Sequence, residues 1–574
     1  MPKILGSFKF RAYLLCALFV VFGGLLVGRL FFIQVVEHDS YAAEADGQYV
    51  SYGTKNKIAT RGSIYFKEKD GNLVSAATIK KGFFVEIDTK LIMDPEDVCE
   101  KINNIVEIDV DRCVTRVENG GYERVAHYLN QNQSQEIENL KIKGVSSFPE
   151  QWRFYPGDFL SSQVLGFVGY KNDELVGRYG LESYYEDVLK GDKEKLEESE
   201  SFTTLFWELG KDLLGSDRGD GHDIVLTIEP SVQSMLEISL SGLLERWGGR
   251  QAGGVIMDPK TGQIIAMSSK PDFDPNSYSS VDNISYFKNP LISSALELGS
   301  VFKPLTMAMA VDLGKVTPET TYYDKGYVVL NGSRIENYDG MGRGTATMQT
   351  VLNESLNTGA IFAMQQVGKE KFYEYAKKLG LGEKTGIDLP SEVEGNLSNL
   401  SNFREVEYAT ASFGQGVAVS PLEFAVAMAS IANGGVVVKP YIVDRIIVDG
   451  VRDNITTPST KRRVIQESTS KTITEMLVNV VDDALLGGTI SLEHYTIAAK
   501  TGTAQIVKDD GSGYSDDDYL HSFFGYAPAF DPKFLVFLYI EKPQGVRYAS
   551  HTLTEPFMEA IKFLLSYYEI APDR

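Results

Sequence analysis

A serine and a lysine separated by two residues, Ser300 and Lys303, are the residues best suited to chemistry in this 574-residue chain. On a helix the i, i+3 spacing places both side chains on one face, about one turn apart. Pro304 follows at once, and because proline is tolerated only in the first turn of a helix, the helix is predicted to begin here. The serine then lies at the positive end of the helix dipole. A nucleophile, a neighbouring base and backbone N–H donors are what acyl transfer through a serine ester requires.

The Ser-x-x-Lys pattern alone is weak evidence for this chemistry. A chain of this length holds about two or three such matches by chance, and a serine that caps a solvated helix is the simpler interpretation of an isolated match. Two companions give the pattern its meaning, because Ser355-Leu356-Asn357 and Lys500-Thr501-Gly502-Thr503 follow it in order. The serine acyltransferases that include the penicillin-binding proteins and class A β-lactamases carry Ser-x-x-Lys, Ser-x-Asn and Lys-Thr-Gly in this order.

Five side chains are predicted to be catalytic. Ser300 Oγ is the expected nucleophile. Lys303, held near the second cation Lys500, is expected to have a lowered pKa and to accept the serine proton, although the sequence leaves the identity of the base open. Ser355 can relay a proton between the two amines and the leaving amine. Asn357 can both donate to and accept from a peptide amide.

The segment that follows Lys500 is predicted to bind the substrate. Thr501 and Thr503, together with Lys500, are expected to hold a substrate carboxylate, and Gly502 lies between them. The backbone N–H groups of Ser300 and Thr503 are expected to form the oxyanion hole.

A second Lys-Thr-Gly, Lys384-Thr385-Gly386, competes for the same role. It follows a helical run and a glycine-rich stretch and leads into Leu389-Pro390, which predicts a helix C-terminus and a loop. Lys500 instead follows the β-prone run Tyr495–Ala499, so it is predicted to lie on a strand that can pair with a substrate backbone. Lys500 is therefore assigned to the site and Lys384 to a surface loop.

With these motifs placed, the chain resembles the class B penicillin-binding proteins over nearly its whole length. The family's nucleophile segment resembles Leu296–Pro304, except that Leu298 replaces the usual proline. Arg334-Ile335-Glu336-Asn337 and Ser355–Ala360 resemble the division-associated branch more than the elongation branch. The loop after Tyr65 departs from the family's sequence, so its residues are not matched to family positions. Further similar segments are Arg61–Tyr65, Gly180-Leu181-Glu182, Gly253–Asp258, Gly262–Met267, Phe413–Gly416, Ser420-Pro421 and Ile431–Gly435.

The resemblance implies an α+β fold with a single N-terminal transmembrane helix, an elongated pedestal domain and a transpeptidase domain. The transpeptidase domain is expected to resemble the penicillin-binding and serine β-lactamase fold, an antiparallel sheet flanked by helices. We expect a cytoplasmic tail at 1–11, an anchor at 12–36, a pedestal or dimerisation-like domain at 37–220 and the transpeptidase domain at 221–574.

The resemblance also implies a peptidoglycan D,D-transpeptidase that cross-links stem peptides through an ester on Ser300 and is inhibited covalently by β-lactams. Septal or sidewall synthesis is the expected setting. The implied partners are membrane lipid, a SEDS-type glycan polymerase and proteins of a division or elongation complex. A D,D-carboxypeptidase or β-lactamase-type hydrolase, or a non-catalytic division scaffold, is the alternative. No cofactor is expected.

Composition and charge exclude some classes of function. The formal net charge of −22 argues against nucleic-acid binding, because phosphates need a basic surface. No cysteine or histidine spacing resembles a zinc site, so no metal is expected. His521 is expected to order a strand. Cys99 and Cys113 can pair in an oxidising compartment.

An uncharged apolar run at Ala12–Gly28 is long enough for one membrane span. Lys3, Lys9 and Arg11 precede it, so the N-terminus is expected inside and the catalytic domain outside the cytoplasmic membrane. A cleaved signal peptide, with Ala43-Glu44-Ala45 as the cleavage site, is the competing interpretation.

The remaining pattern predicts strands on both sides of a helical segment, which is typical of an α+β domain. A hairpin is expected to turn at Pro259–Gly262. Strands are expected at Ile224–Ile228, Tyr495–Ala499, Phe523–Tyr526 and Phe534–Ile540. Helices are expected at Pro230–Trp247, Leu305–Leu313, Met348–Val367, Phe372–Leu379, Leu422–Ala432, Thr472–Ala484 and Thr554–Tyr568.

Overall fold

The computed structural model describes residues 61–171, 174–191, 220–402, 404–448, 452–508 and 513–574. The predicted cytoplasmic tail at 1–11 and the predicted anchor at 12–36 lie outside the described residues. Within the part that is described, no helix combines the length and the apolar character that a membrane span requires.

Strands and helices are mixed along the described chain, as predicted for an α+β protein. In chain order the strands are β1 (Ile64–Lys67), β2 (Leu73–Asp88), β3 (Tyr122–Leu129), β4 (Val145–Phe154), β5 (Val168–Lys171), β6 (Glu174–Gly177), β7 (Asp223–Leu226), β8 (Gln251–Met257), β9 (Ile264–Lys270), β10 (Thr321–Asp324), β11 (Tyr327–Leu330), β12 (Ser333–Glu336), β13 (Gly344–Thr347), β14 (Val436–Val438), β15 (Val443–Val448), β16 (Arg452–Ile455), β17 (Thr460–Arg463), β18 (Ala498–Val507), β19 (Tyr514–Ala527) and β20 (Phe534–Glu541).

The α-helices alternate with these strands. They are α1 (Pro95–Asn103), α2 (Val110–Asn119), α3 (Gln131–Asn139), α4 (Ser162–Leu165), α5 (Gly180–Tyr184), α6 (Glu186–Leu189), α7 (Pro230–Trp247), α8 (Pro290–Ser293), α9 (Lys303–Asp312), α10 (Met348–Asn353), α11 (Asn357–Val367), α12 (Lys369–Lys378), α13 (Glu405–Ala411), α14 (Pro421–Ala432), α15 (Glu467–Asn479), α16 (Ala549–Thr552) and α17 (Thr554–Tyr567).

Contacts divide the described residues into two compact units. The first contains Lys81–Glu150, and the second contains the described residues before and after that range. In the first unit, α1 and α2 are joined by a disulfide between Cys99 and Cys113, whose Cα atoms lie 6.0 Å apart. Both cysteines are buried in a core formed with β-strand residues such as Val85 and Ile87. The domain boundary predicted at 220/221 stays a prediction.

The second unit is built on a five-stranded antiparallel sheet with the order β18-β19-β20-β8-β9. The predicted hairpin at Pro259–Gly262 joins β8 to β9, and the late strands return beside β8, as predicted. Alternate residues of β20 enter two different cores because side chains alternate across a strand. Leu535, Phe537 and Tyr539 pack in the core that contains the nucleophile helix α9, whereas Val536, Leu538 and Ile540 pack in the core that contains α7 and α17.

Most predicted segments overlap the observed ones closely. The strand predicted at Tyr495–Ala499 is wrong in its bounds, because the observed strand β18 begins at Ala498 and continues to Val507. The helix predicted at Met348–Val367 is wrong as a single helix, because it is interrupted between α10 and α11 at Glu354-Ser355-Leu356. Ser355 has a φ of 55°, a left-handed conformation that a continuous right-handed helix excludes. The helix predicted at Thr472–Ala484 is α15 followed by a π-helical turn at Val480–Ala484.

Near the start of the described chain, two segments quoted for the resemblance meet in a buried ion cluster. The carboxylate of Glu182 accepts hydrogen bonds from Arg61 Nε at 2.7 Å and from Arg153 Nε at 2.6 Å. Tyr155 OH donates to the same carboxylate at 3.2 Å. Burial alone would raise the pKa of Glu182, but Arg153 and Arg61 outweigh it and hold that pKa below its usual value. The cluster joins the segment just before β1 and the end of β4 to α5.

Candidate active site

Ser300 lies in a short 3₁₀ turn, Gly299–Phe302, that leads directly into helix α9. Pro304 occupies the first turn of that helix, so the predicted helix start is confirmed. Gly299 has a φ of 68°, and a Cβ there would lie 2.8 Å from the backbone oxygen of Thr503. Only glycine therefore allows this turn to approach the strand that carries Thr503 so closely.

Strand β18 lies at the edge of the five-stranded sheet and carries Lys500–Thr503. A Cβ on Gly502 would lie 2.7 Å from Leu298 O and 2.9 Å from Val301 N, both in the backbone around the nucleophile. Ser522 Oγ, on the neighbouring strand, donates a hydrogen bond to Leu298 O at 2.7 Å. The turn and the strand therefore touch through their backbones, and the two segments far apart in sequence are brought together.

The side chain of Lys303 is buried, with 1% of its surface exposed. Its amine donates hydrogen bonds to Ser355 Oγ at 3.1 Å and to the Ser355 backbone oxygen. Burial, and then the neighbouring positive charge of Lys500, hold the pKa of Lys303 well below its usual value. The site therefore favours the neutral form of the Lys303 amine more than water does.

Ser355 and Asn357 stand where α10 ends and α11 begins. The left-handed backbone of Ser355 breaks the helix, and α11 starts at Asn357 without a side-chain cap of its own. Asn357 Nδ2 donates to the backbone oxygen of Glu336 at 2.8 Å. A strained residue at such a junction is typical of functional sites, because the surrounding structure must stabilise it.

Lys500 is also buried, with 2% of its surface exposed. Its amine donates to the backbone oxygen of Thr501 at 3.1 Å, and burial lowers its pKa to about 8. Thr503 Oγ1 accepts a hydrogen bond from the backbone N–H of Ala549 at 3.1 Å. The hydroxyl hydrogen of Thr503 therefore remains available to a ligand.

These residues surround one groove with a volume of about 910 Å³. Lys303 lies beneath its floor, bonded to Ser355, and Gly502 packs behind the strand against the nucleophile turn. Six of the eight residues predicted for the site line the groove: Ser300, Ser355, Asn357, Lys500, Thr501 and Thr503.

The competing Lys-Thr-Gly lies elsewhere, as predicted. Lys384 is exposed in a loop after α12, and Thr385 is buried and donates its backbone N–H to Glu392 at 2.7 Å. Neither residue lines the groove.

His521 is fully buried on β19, opposite Thr503. Nε2 donates to the backbone oxygen of Arg547 at 3.1 Å, and Nδ1 bonds to Thr552 Oγ1 at 2.9 Å. Burial lowers its pKa to about 4, so the ring is neutral and holds the segment that begins at Arg547 against the sheet. His521 is expected to order a strand, and it lies on β19, which it bonds to Arg547 and Thr552.

Some residues that shape the site carried no role in the sequence interpretation. Gly414, in the segment quoted only for its resemblance, accepts a hydrogen bond from Gly299 N at 3.1 Å. A Cβ on Gly414 would lie 2.3 Å from Gly299 O, so the loop braces the nucleophile turn by close backbone contact. The density of glycines in Phe413–Gly416 was the available signal. Ser522 gave no signal, because its bond to Leu298 O depends on strand pairing.

Two family models match the chain. The penicillin-binding protein transpeptidase domain matches residues 252–562, and the penicillin-binding protein dimerisation domain matches residues 56–225. The stage V sporulation protein D of Bacillus subtilis is 34% identical over 504 residues, which are 85% of this chain and 76% of that protein. The peptidoglycan D,D-transpeptidase FtsI of Escherichia coli is 25% identical over 562 residues, which are 96% of this chain and 91% of that protein.

Solved structures share the fold. Penicillin-binding protein 3 of Mycobacterium tuberculosis, complexed with aztreonam, is 22% identical with a TM-score of 0.68 and covers 90% of this chain and 98% of its own. Penicillin-binding protein 2X of Streptococcus thermophilus is 19% identical with a TM-score of 0.70 and covers 90% of this chain and 81% of its own.

Proposed function

The chain belongs to the class B penicillin-binding proteins, on their division-associated branch, and from that premise we propose that it is a peptidoglycan D,D-transpeptidase with Ser300 as its nucleophile. The observation that carries the proposal is the groove in which Ser300, Ser355, Asn357 and Lys500 meet, with the amine of Lys303 bonded to Ser355 beneath it. Septal cell-wall synthesis is the proposed setting.

Lys303 is the general base in this proposal. A neutral amine has two hydrogens and one lone pair. Both hydrogens are used by Ser355, one on its backbone oxygen and one on Oγ, so the lone pair remains for the proton of Ser300. Ser300 Oγ then attacks the carbonyl carbon of the penultimate D-Ala of a stem peptide, and the backbone N–H groups of Ser300 and Thr503 stabilise the oxyanion.

The ester forms as the C–N bond to the terminal D-Ala breaks. The proton taken by Lys303 passes through Ser355 to the leaving amine, and an amine of a neighbouring stem peptide later attacks the ester. Asn357 holds the peptide amide. Lys500, with a pKa of about 8, is mostly charged at neutral pH and binds the terminal carboxylate with Thr501 and Thr503. A β-lactam would acylate the same serine in this proposal, and a mycobacterial protein of the same fold forms a complex with aztreonam.

We also propose that residues 12–36 anchor the chain in the cytoplasmic membrane and that residues 37–220 form a pedestal for the catalytic domain outside the cell. The apolar run at Ala12–Gly28 supports the anchor. The disulfide between Cys99 and Cys113 supports the location, because disulfides persist in oxidising compartments. A SEDS-type glycan polymerase and division proteins are the proposed partners.

Covalent labelling tests the proposal. A fluorescent penicillin should label the protein, and mass spectrometry of the labelled peptide should identify Ser300, whereas Ser300→Ala should remove the label. Lys500→Ala should slow labelling strongly, and its matched control Lys384→Ala should not, because Lys384 lies outside the groove. A label that persists in Ser300→Ala would contradict the assignment.

Turnover separates the transpeptidase from its hydrolytic alternatives. Labelled stem peptides with an acceptor amine should give cross-linked dimers. Release of D-Ala without dimers would instead indicate a carboxypeptidase, and no acylation of the folded protein would indicate a scaffold.

A further inference from the structure

Helix α11, which begins at Asn357, is capped by a residue from a different part of the chain. It has no side-chain cap of its own. The backbone N–H of Thr358, in its first turn, donates instead to Asn337 Oδ1 at 3.2 Å. Asn337 follows strand β12 and is 3% exposed. A helix N-terminus requires acceptors for its first-turn N–H groups, and here one acceptor comes from a distant part of the same chain.

A buried carboxylate fixes Asn337 in the orientation that permits this cap. Asp324, at the end of β10 and 2% exposed, accepts Asn337 Nδ2 at 2.9 Å. It also accepts Thr358 Oγ1 at 2.8 Å and the backbone N–H groups of Gly326 at 2.8 Å and Arg343 at 3.0 Å. With Nδ2 held by a carboxylate, the amide oxygen of Asn337 must face the helix.

The cap reaches the site through the backbone of the preceding residue. The oxygen of Glu336, adjacent to Asn337, accepts Asn357 Nδ2 at 2.8 Å. A flipped carboxamide would place the oxygen of Asn357 against that of Glu336, so the bond selects one orientation. Asn357 then keeps its oxygen and its second N–H for the amide of the substrate.

We infer that Asn337 and Asp324 are positioning residues that set the orientation of the Asn357 carboxamide in the groove. The inference rests on the proposed function. The inference explains how Ser355-Leu356-Asn357 can lie at a break between two helices, because the segment between β10 and β13 stabilises that break through its hydrogen bonds. Neither residue needs to touch the reacting atoms.

The first test compares two truncation variants. For each, the rate constant of acylation by a fluorescent penicillin is measured and normalised to the concentration of folded protein. Asn337→Ala should lower that constant about 10- to 100-fold, since a misplacement of about 1 Å can cost this much. Asn433→Ala is the matched control. The side chain of Asn433 makes three hydrogen bonds of its own, to Pro259 O, Val436 O and Val436 N at 2.8, 2.8 and 2.9 Å, but it lies outside the groove. It should lower the melting temperature and leave the rate constant within about two-fold of wild type.

The second test uses charge and does not depend on truncation. Asn337→Asp places two carboxylates side by side, and these cannot both ionise without repulsion, so they share a proton. Acylation by this variant, relative to wild type at each pH, should therefore recover as the pH falls. The exchange variant Asp324→Asn with Asn337→Asp restores a donor and an acceptor between the two positions. It loses the bonds to Arg343 N and to Met341 O, so it should recover acylation at neutral pH only in part, about ten-fold over Asn337→Asp.

The outcomes separate this inference from the proposed function. Acylation of Asn337→Ala within about two-fold of wild type, or an exchange variant no better than Asn337→Asp at every pH, would overturn the positioning role while Ser300 remained the nucleophile. Labelling that survives Ser300→Ala would overturn the proposed function itself.

Discussion

The contact between the nucleophile turn and strand β18 predicts a sharp effect of one added methyl group. Gly502 lies where the strand meets the backbone on both sides of Ser300. In Gly502→Ala the new Cβ would lie 2.4 Å from Ser522 Oγ, 2.7 Å from Leu298 O and 2.9 Å from Val301 N. Two of the three obstructing atoms belong to the backbone, so a change of side-chain rotamer cannot relieve the clash.

The distances give the size of the effect. An ordinary contact needs at least 3.4 Å, so the gap to Leu298 O must widen from 2.7 Å by about 0.7 Å. Overpacking of this kind costs about 1–3 kcal/mol in stability, which leaves the domain folded. The larger effect is kinetic, because the movement separates Ser300 from the proposed oxyanion donor on Thr503. We expect the acylation rate constant to fall about 10- to 100-fold.

The assay is the rate of labelling by a fluorescent penicillin, measured together with the melting temperature. Gly242→Ala is the matched control, because Gly242 is exposed on helix α7 and a Cβ there meets nothing within 4 Å. That variant should acylate normally and gain about 0.5–1 kcal/mol in stability, since alanine favours a helix over glycine. Acylation of Gly502→Ala within about two-fold of wild type would refute the reasoning that the two backbones must touch.

Three further predictions follow from the charges and cross-links. The acylation rate constant should rise with pH through the lowered pKa of Lys303 and fall as the pH rises through about 8, where Lys500 loses its charge. Lys500→Arg should move this fall to higher pH, because arginine keeps its charge. A rate constant that does not change with pH in either range would contradict the assignments. Glu182→Gln leaves the buried guanidinium of Arg153 without its carboxylate, whereas Arg61 keeps its ion pair with Glu186. The variant should lower the free energy of unfolding by about 3–5 kcal/mol in thermal unfolding, against less than about 1 kcal/mol for Glu555→Gln in an exposed pair. Cys99 and Cys113 are 14 residues apart, and replacing both should destabilise the first unit by about 3 kcal/mol. The loss should be seen as faster proteolysis of residues 81–150, and an unchanged rate of proteolysis would contradict this prediction.

Much of the second unit follows from local sequence rules. The helix at Pro230–Trp247 has its predicted bounds, since Pro230 marks its start and Gly248, in a left-handed conformation, its end. The strand at Phe534–Glu541 was recognisable as a continuous apolar run, and the structure shows why: both faces of that sheet are buried. The site segments could be placed because each motif carries its own context, as the exposed Lys384 and the buried Lys500 show.

What local rules could not predict depends on contacts between distant segments. The apolar periodicity of Met348–Val367 continues across the break at Ser355, so the sequence predicts one helix there. The second half of the broken helix is capped by Asn337, from another part of the chain. The residues around Asn337 do not indicate that role, since a cap from a distant segment can be identified only once the structure places the two elements together.

The two buried lysines show how one residue type can serve as base and as cation in one groove. Both are almost completely buried, so desolvation lowers the pKa of each. The structure adds the charge of Lys500 to the burial of Lys303, and the pKa of Lys303 therefore falls well below its usual value, while that of Lys500 falls to about 8. Both causes favour the neutral form of Lys303, whereas Lys500, with a pKa of about 8, is mostly charged at neutral pH. The neutral amine then lies beside Ser355 and the charged one beside Thr501, which is the distribution that proton abstraction and carboxylate binding require.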